Sequence, residues 1–561
     1  MSKYENLYRS VPTSDGELKD IYYCLNSYIH DNMHSNVIIR QSTVTKCIQK
    51  LKAAKSDGNI GFDSDHLING THKLHVMLCI LLNVMISHGY TANDLLFSTI
   101  ISIPKNLKTS LSSSDNYRGI ALCSSICKVI DMVIIDQYAE YLYTSDLQFG
   151  FKPGHSTTLC TAVYLETINY YTCKNTDVYS CLLDASKAFD KVHYGKLFTL
   201  LLKRNLPCLL VRFLLDSYTR HQVCVSWESS KSRYFSTLNG VKQGGVLSPI
   251  LFIVYIDELI VILRHSGIGC HMGGHYVGAI GYADDLTLVS PSIRALNNML
   301  SICSKFAEEY NITFNTTKTV CIKYGSDIIE HELVKLNGCT IAWSDKVKHL
   351  GYIVNNKLTD TDDCASKSAI FNGSVNKLIG NFGGIQTDIL CKLYSSYCCS
   401  FYGSQIWCMN SHGFASCCIQ WNKAVRKILK LPYRCHSWLL GPLMQQCHIS
   451  AQLHVKTIKF IYQMLMNSNS IVAYIARRGC MFSNSPLGRN ISFFRYKYGI
   501  IFSNSMSSNV ALVYDTHALD SSKLGLVSCV KDAQNVLHNS SYIEHFTCHE
   551  IEQILYNICI E

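Results

Sequence analysis

Tyr282-Ala283-Asp284-Asp285 stands between two apolar runs, residues 276–280 and 286–289. Short apolar runs around such an interruption predict a β-hairpin, which sets two carboxylates on one tight turn. Neighbouring carboxylates repel, so a fold that holds them there leaves them in water or neutralises them with cations. An exposed Asp-rich turn is the plain alternative. A second carboxylate of the same kind shifts the balance: Asp184 ends the apolar strand predicted over Val178–Leu183. Two strands ending in Asp can bring three hard oxygen ligands to one point, which suits Mg²⁺, and a pair of such ions performs phosphoryl transfer. Asp190 lies nearer the amphipathic helix predicted over residues 187–202 and reads as a cap or surface residue, outside the ligand set.

Between these carboxylates sits the segment 239–249, NGVKQGGVLSP. Its closely spaced glycines let backbone approach a planar group, and Pro249 can open a helix over residues 250–263. Upstream, Val76, Leu78, Leu81, Leu82 and Val84 predict a buried helix, and Phe97–Pro104 a short strand. From Ile389 the strand signal fades. Leu390, Leu393, Tyr394, Tyr397 and Phe401 keep helical spacing, as do Trp421, Val425, Ile428 and Leu429, with Lys423, Arg426, Lys427 and Lys430 on the other side. Residues 480–561 show no interpretable pattern. The irregular alternation of strands and helices indicates an α+β fold.

Charge adds a direction. The chain carries 51 Lys+Arg against 41 Asp+Glu, a net +10, and residues 389–514 contain 13 Lys or Arg and no acid at all. Such a surface suits a polyanion, nucleic acid above all. The 27 cysteines include no C-x-x-C pair, so zinc ribbons and knuckles are not expected and most thiols should be core residues. The polar start and the odd cysteine number point to a reducing compartment rather than secretion. No apolar run reaches the roughly 20 residues of a membrane span.

In order, residues 183–192 (LDASKAFDKV), 240–249 and 282–285 resemble the palm motifs of reverse transcriptases, in the variant of the non-LTR (LINE-type) retrotransposons. Residues 116–120 with Lys128, 148–151 with 155–157, 315–319 (NTTKT) and 349–351 agree in order. The resemblance spans roughly residues 45–470, where one isolated motif would be only a hypothesis.

That resemblance implies a right-hand polymerase: an N-terminal extension (1–44), fingers (45–180), an antiparallel-sheet palm (181–358), a basic helical thumb (359–475) and a C-terminal region without assigned role (476–561). It implies RNA-directed DNA synthesis from a primer 3′-hydroxyl with dNTPs and two Mg²⁺ ions, or Mn²⁺ in their place. Asp184 and Asp284 would bind both ions, with Asp285 in support, and Lys318 would protonate the leaving pyrophosphate. Lys105 and Arg118 would hold the triphosphate, Phe189 would stack under the sugar and select against a 2′-hydroxyl, and Gln243 would contact the nucleotide or template. His349, Leu350 and Gly351 would grip the primer, and Lys423, Arg426, Lys427 and Lys430 would track phosphates. Gly119 and Lys242 depart from the commoner residues of relatives without touching the carboxylates. Expected partners are template RNA and primer DNA, with an endonuclease domain or an element-encoded RNA-binding protein acting in trans. About 45 preceding residues are too few for an apurinic-type endonuclease, and the lack of C-x-x-C and of acids over residues 389–514 disfavours a restriction-like nuclease or an RNase H. The expected location is intracellular, nuclear and cytoplasmic. The competing reading is a catalytically decayed or domesticated remnant that binds nucleic acid; a maturase or telomerase-like polymerase is less favoured.

Overall fold

The computed structural model describes residues 2–502 apart from residues 12, 32–36, 56–62, 107–108, 229, 327–332 and 445. Val178–Leu183 is apolar on both faces and almost wholly buried, so it occupies the middle of a sheet. Its neighbours are Asp285–Ser290 and Val320–Tyr324, both antiparallel to it. Ala279–Tyr282 and Ala342–Trp343 take the two edges. The helices Thr157–Thr172, Ser248–His265 and Ile293–Glu309 pack on this sheet, the second opening with Pro249 in its first turn as expected.

A second sheet pairs Phe97–Pro104 with Tyr117–Leu122 (antiparallel) and with Gln222–Trp227 (parallel). It draws strands from both sides of residue 180, so chain order and sheet membership do not coincide. The N-terminal helix Ser2–Leu7 covers it: Tyr4 and Tyr8 pack with Ile100, Val223, Val225 and Phe235.

After residue 360 the chain is helical through Pro486–Tyr498. Ser470–Met481 and Pro486–Tyr498 fold back onto Thr157–Thr172. The join is a buried ion pair, Arg478 Nη1 to Glu166 Oε2 at 3.5 Å, with the Leu487 N–H donating to Glu166 Oε1 at 2.6 Å.

Several expectations change. Residues 187–202 form two pieces, a 3₁₀ turn Ala188–Lys191 and a helix Tyr194–Lys203, because the Val192 carbonyl leaves the helical path to accept the Gly240 N–H, and His193, in extended backbone, caps the second helix by accepting the Lys196 N–H. The helix His72–His88 exists, but it buries Cys79, Leu82, Met85 and Ile86 and exposes Leu81 and Val84; an all-round apolar segment does not reveal its inner face. Thr387–Tyr397 ends before Phe401, and Tyr397 is exposed. The helix Pro486–Tyr498 carried no visible pattern because its buried positions include Gly488 and Asn490; residues 503–561 lie outside the described residues. Of the cysteines described, all are free thiols, and only Cys24, Cys173 and Cys339 are exposed. Among the described residues no helix is long and apolar enough to cross a membrane.

Candidate active site

The site begins at the paired ends of two strands. Leu286 pairs with Leu183 in an antiparallel register, so one further step faces Asp285 toward Asp184. Asp285 also pairs with Tyr282, leaving Ala283 and Asp284 as a two-residue turn. Ala283 has φ +56° and Asp284 a negative φ, the pattern of a II′ turn whose first central position usually holds Gly. A side-chain clamp maintains it. Gln148, fully buried, accepts the Ala283 and Gly150 N–H groups at 2.9 Å each through Oε1. Its Nε2 donates to the Ala283 carbonyl at 3.4 Å. The Phe149 N–H donates to the Gly281 carbonyl at 2.8 Å, and the Gly281 N–H to the Leu147 carbonyl at 2.9 Å.

The carboxylates crowd one another. Desolvation raises the Asp284 carboxyl above its usual range and the charge of Asp184 adds to the rise, with Arg118 opposing it. Asp285 is pushed up to about 6 by desolvation, then by Asp284 and Asp184. This is the signature of like charges short of a cation. Lys318 Nζ lies 3.6 Å from Asp184 Oδ2 but is 67% exposed, so that pair compensates weakly. Its loop is nonetheless well formed. Asn315 Oδ1 accepts from Thr317 N and Oγ1, and the Asn315 N–H donates to the Asp184 carbonyl at 2.7 Å. The NTTKT segment is an Asx turn wrapped on the Asp184 backbone.

Among the described residues no group of three or more His, Cys, Asp or Glu side chains is gathered so as to hold a metal ion, so Asp184, Asp284 and Asp285 do not form the three-ligand set expected from the sequence. The donor set still fits Mg²⁺, which characteristically takes one or two carboxylates and completes its shell with water and substrate phosphates. An open, all-oxygen, electron-rich rim is what such an ion requires.

Phe189, on the 3₁₀ turn, is half-buried and stacks on Phe252 with centroids 4.1 Å apart and planes at 18°, edge-on to Phe151 at 6.1 Å. The Gly-rich segment runs beside it: the Val241 N–H donates to the Phe189 carbonyl and the Gly240 N–H to the Val192 carbonyl, each at 2.8 Å. Gly240 has φ +88°, and a Cβ there would lie 2.7 Å from the Asp190 carbonyl oxygen, so backbone proximity dictates glycine. The Ala121 N–H donates to the Gln243 carbonyl at 2.6 Å, tying this segment to the second sheet.

Asp190 is neither a cap nor a surface residue. It is 6% exposed, and Gln243 Nε2 donates to its Oδ1 at 2.7 Å. Burial drives its carboxyl up to about 6 against the lowering effects of Gln243, Lys187 and Tyr8.

Lys105 and Arg118 come together because Ile103 pairs with Arg118 across the second sheet. Desolvation, then Lys3, Lys187 and Arg118, holds the Lys105 ammonium below its usual range. Lys3 and Lys187 approach Asp115 Oδ1 at 3.5 and 3.9 Å. Both escaped the sequence reading, although Lys187 lies within the Asp184–Phe189 motif that could have flagged it.

His349, Leu350 and Gly351 separate. The strands Lys346–His349 and Tyr352–Asn355 form a hairpin whose turn residues, Leu350 and Gly351, have φ +47° and +87°, a I′ turn. His349 is 4% exposed, bonded through Nδ1 to Thr161 Oγ1 at 2.9 Å, and burial lowers its imidazole to about 3. It anchors the hairpin, and only the tip faces outward. Lys423, Lys427 and Lys430 are exposed. Arg426 instead donates to the Cys435 carbonyl through Nε (3.1 Å) and Nη2 (2.7 Å).

Residues 103–354 match the family model described as reverse transcriptase (RNA-dependent DNA polymerase). The chain is 26% identical over 386 residues to an RNA-directed DNA polymerase from mobile element jockey of Drosophila melanogaster, covering 65% of this chain and 41% of that one. It is 25% identical over 221 residues to a Pol polyprotein from the type-1 retrotransposable element R2 of Nasonia vitripennis, covering 39% and 21%. The chain thus spans less than half the length of either relative. A solved apo telomerase from Candida tropicalis aligns at 12% identity with a TM-score of 0.33 over 51% of this chain and 59% of that one, a likeness too slight to argue from.

Proposed function

We propose that this chain, whose residues 103–354 belong to the reverse transcriptase (RNA-dependent DNA polymerase) family, extends a primer 3′-hydroxyl with dNTPs on an RNA template as the polymerase of a non-LTR retrotransposon. The observation that carries the reading is the strand pair that faces Asp184 toward Asp285 beside the Ala283–Asp284 turn, with the Asp284 carboxyl raised by desolvation and Asp184, and that of Asp285, exposed at the strand start, by desolvation, Asp284 and Asp184. Asp184 and Asp284 hold Mg²⁺, or Mn²⁺, with Asp285 in support. When bound, the ions supply Lewis-acid stabilisation of the leaving pyrophosphate and activation of the attacking hydroxyl.

The chain's own residues do the rest. Arg118 offers a bidentate guanidinium and Lys105 a point charge to the triphosphate. Phe189, backed by Phe252, presents a rigid ring beneath the sugar that meets a 2′-hydroxyl. Gln243 contacts the nucleotide. Lys318, exposed beside Asp184, delivers a proton to pyrophosphate. The Leu350–Gly351 tip contacts the primer, positioned by His349, while Lys423, Lys427 and Lys430 track backbone phosphates and Arg426 braces their helix end. We infer template RNA and primer DNA as partners, an endonuclease or RNA-binding protein acting in trans, and an intracellular site of action in nucleus and cytoplasm.

The test is primer extension on an RNA template by the purified chain. Asp284→Asn is expected to lower incorporation by more than about 10²-fold while leaving RNA binding intact. Robust synthesis by Asp284→Asn would refute the metal assignment, and RNA binding without any incorporation by the unmodified chain would favour the remnant reading.

A further inference from the structure

Asp190 is a buried carboxylate to which no cation among the described residues is bonded. Such a group is expensive to keep ionised, and an apolar residue would fill the space as well. Its surroundings show a use. Gln243 Nε2 donates to its Oδ1 at 2.7 Å. Tyr8, from the N-terminal segment, is 5% exposed and lies beside the same side chain, where burial and then the Asp190 charge raise its hydroxyl. Asn239 completes the block: its Nδ2 donates to the Asp190 carbonyl at 2.6 Å and the Leu7 carbonyl at 3.0 Å, and its Oδ1 accepts the Val11 N–H at 3.2 Å. The Leu238 N–H donates to the Tyr8 carbonyl at 2.8 Å. Three segments distant in sequence, around residues 8, 190 and 240, thus meet at Asp190 beside the Gly-rich turn.

A carboxylate only accepts hydrogen bonds, whereas a carboxamide has a donor end and an acceptor end. Whatever ionised Asp190 holds must present its donor. We propose that Asp190 is a positioning residue for the nucleotide site: it fixes the Gln243 carboxamide with Nε2 inward and Oε1 outward, and the N-terminal segment, bridged to the Asp190 backbone by Asn239 and packed alongside through Tyr8, holds Asp190 in place. The inference rests on the polymerase reading. It assigns the outward Oε1 to a hydroxyl or amino donor of the incoming nucleotide, and it makes residues 7–11 part of the nucleotide pocket.

The test is a double-mutant comparison in steady-state primer extension by the full chain on an RNA template, with KM for dNTP and kcat measured separately. Asp190→Leu is expected to raise KM about tenfold with kcat within about twofold. Tyr8→Phe, which deletes one hydroxyl, is expected to raise KM about threefold. In a Gln243→Ala background neither change should have a further effect. Additive effects in that background, or losses in kcat at unchanged KM, would overturn the proposal. Should Asp190→Leu fail to fold, the Tyr8→Phe comparison decides alone. Absence of incorporation by the unmodified chain would sink the polymerase reading instead. The positioning claim would then be decided by calorimetric dNTP affinity with Ca²⁺ present, for which the same non-additivity is expected.

Discussion

Asp190 and Gln148 illustrate how one buried polar side chain can be worth more than its neighbours on the surface. The Asp190 carboxyl, raised to about 6, makes a pH-dependent contribution of known sign. Native Asp190 binds its proton more tightly than the unfolded chain does, so its stabilising contribution is complete below about pH 4 and disappears as the pH rises through about 6. Asp190→Asn, which removes the ionisation, should therefore gain stability relative to the unmodified chain by on the order of 2 kcal/mol at pH 7 and by much less at pH 4.5. Denaturation midpoints at the two pH values check this; a pH-independent difference would show that burial does not govern the group. At this scale the sequence was only half informative. Asp184 and Asp284 were legible because strand ends and a tight turn leave few alternatives for an acid. Asp190 was misread because its burial comes from Tyr8 and Asn239, which are remote along the chain.

Hairpin geometry explains the next level. The Ala283–Asp284 turn holds positive φ at a residue that is not glycine, and the clamp from Gln148 is what the strand pair relies on. Gln148→Leu keeps the volume and removes the acceptor for two buried N–H groups, each worth about 1–3 kcal/mol when left unpaired. A loss of at least about 2 kcal/mol in urea denaturation, together with lower incorporation, is expected. A Cβ at residue 150 would strike the Ala283 amide nitrogen, so Gly150→Ala should also depress activity, by displacing the turn that carries Asp284; unchanged kinetics would show that the turn tolerates movement. The strands Phe97–Pro104 and Val178–Leu183 were readable in advance because apolar runs of that length between polar breaks admit little else. The break at residues 192–193 was not, since its cause is pairing with a segment some 50 residues away.

For the molecule as a whole, the acid-free stretch acquires its counter-charge from elsewhere. Arg478 is buried against Glu166, whose carboxyl desolvation raises to about 7 in spite of Arg478, and the half-buried Lys456 donates to the Ser400 and Phe401 carbonyls. Arg478 joins the C-terminal helices to Thr157–Thr172, and Lys456 braces the helical region internally, rather than facing a ligand. Arg478→Met would strand Glu166 and should destabilise by about 3–5 kcal/mol, loosening the helices Ser470–Met481 and Pro486–Tyr498. Limited proteolysis should then cut in that region first, and pairing with Glu166→Leu should recover much of the loss. On the proposed reading the exposed lysines are left to meet phosphate, so RNA affinity should fall steeply with salt, and Lys423→Ala with Lys427→Ala should flatten that slope by about one to two units.

The sequence alone determined the chemistry: which strands end in acids, where glycine must allow close backbone approach, and that a long segment has no negative charge. These are local properties, written in runs of a few residues. Only the tertiary structure decided which polar groups are buried and what they hold: Asp190 on Gln243, Gln148 on the Ala283–Asp284 turn, His349 under its hairpin, Arg478 on Glu166. Burial and partnership are set by segments tens to hundreds of residues apart, and no pattern within one segment encodes the solvent that its neighbours exclude.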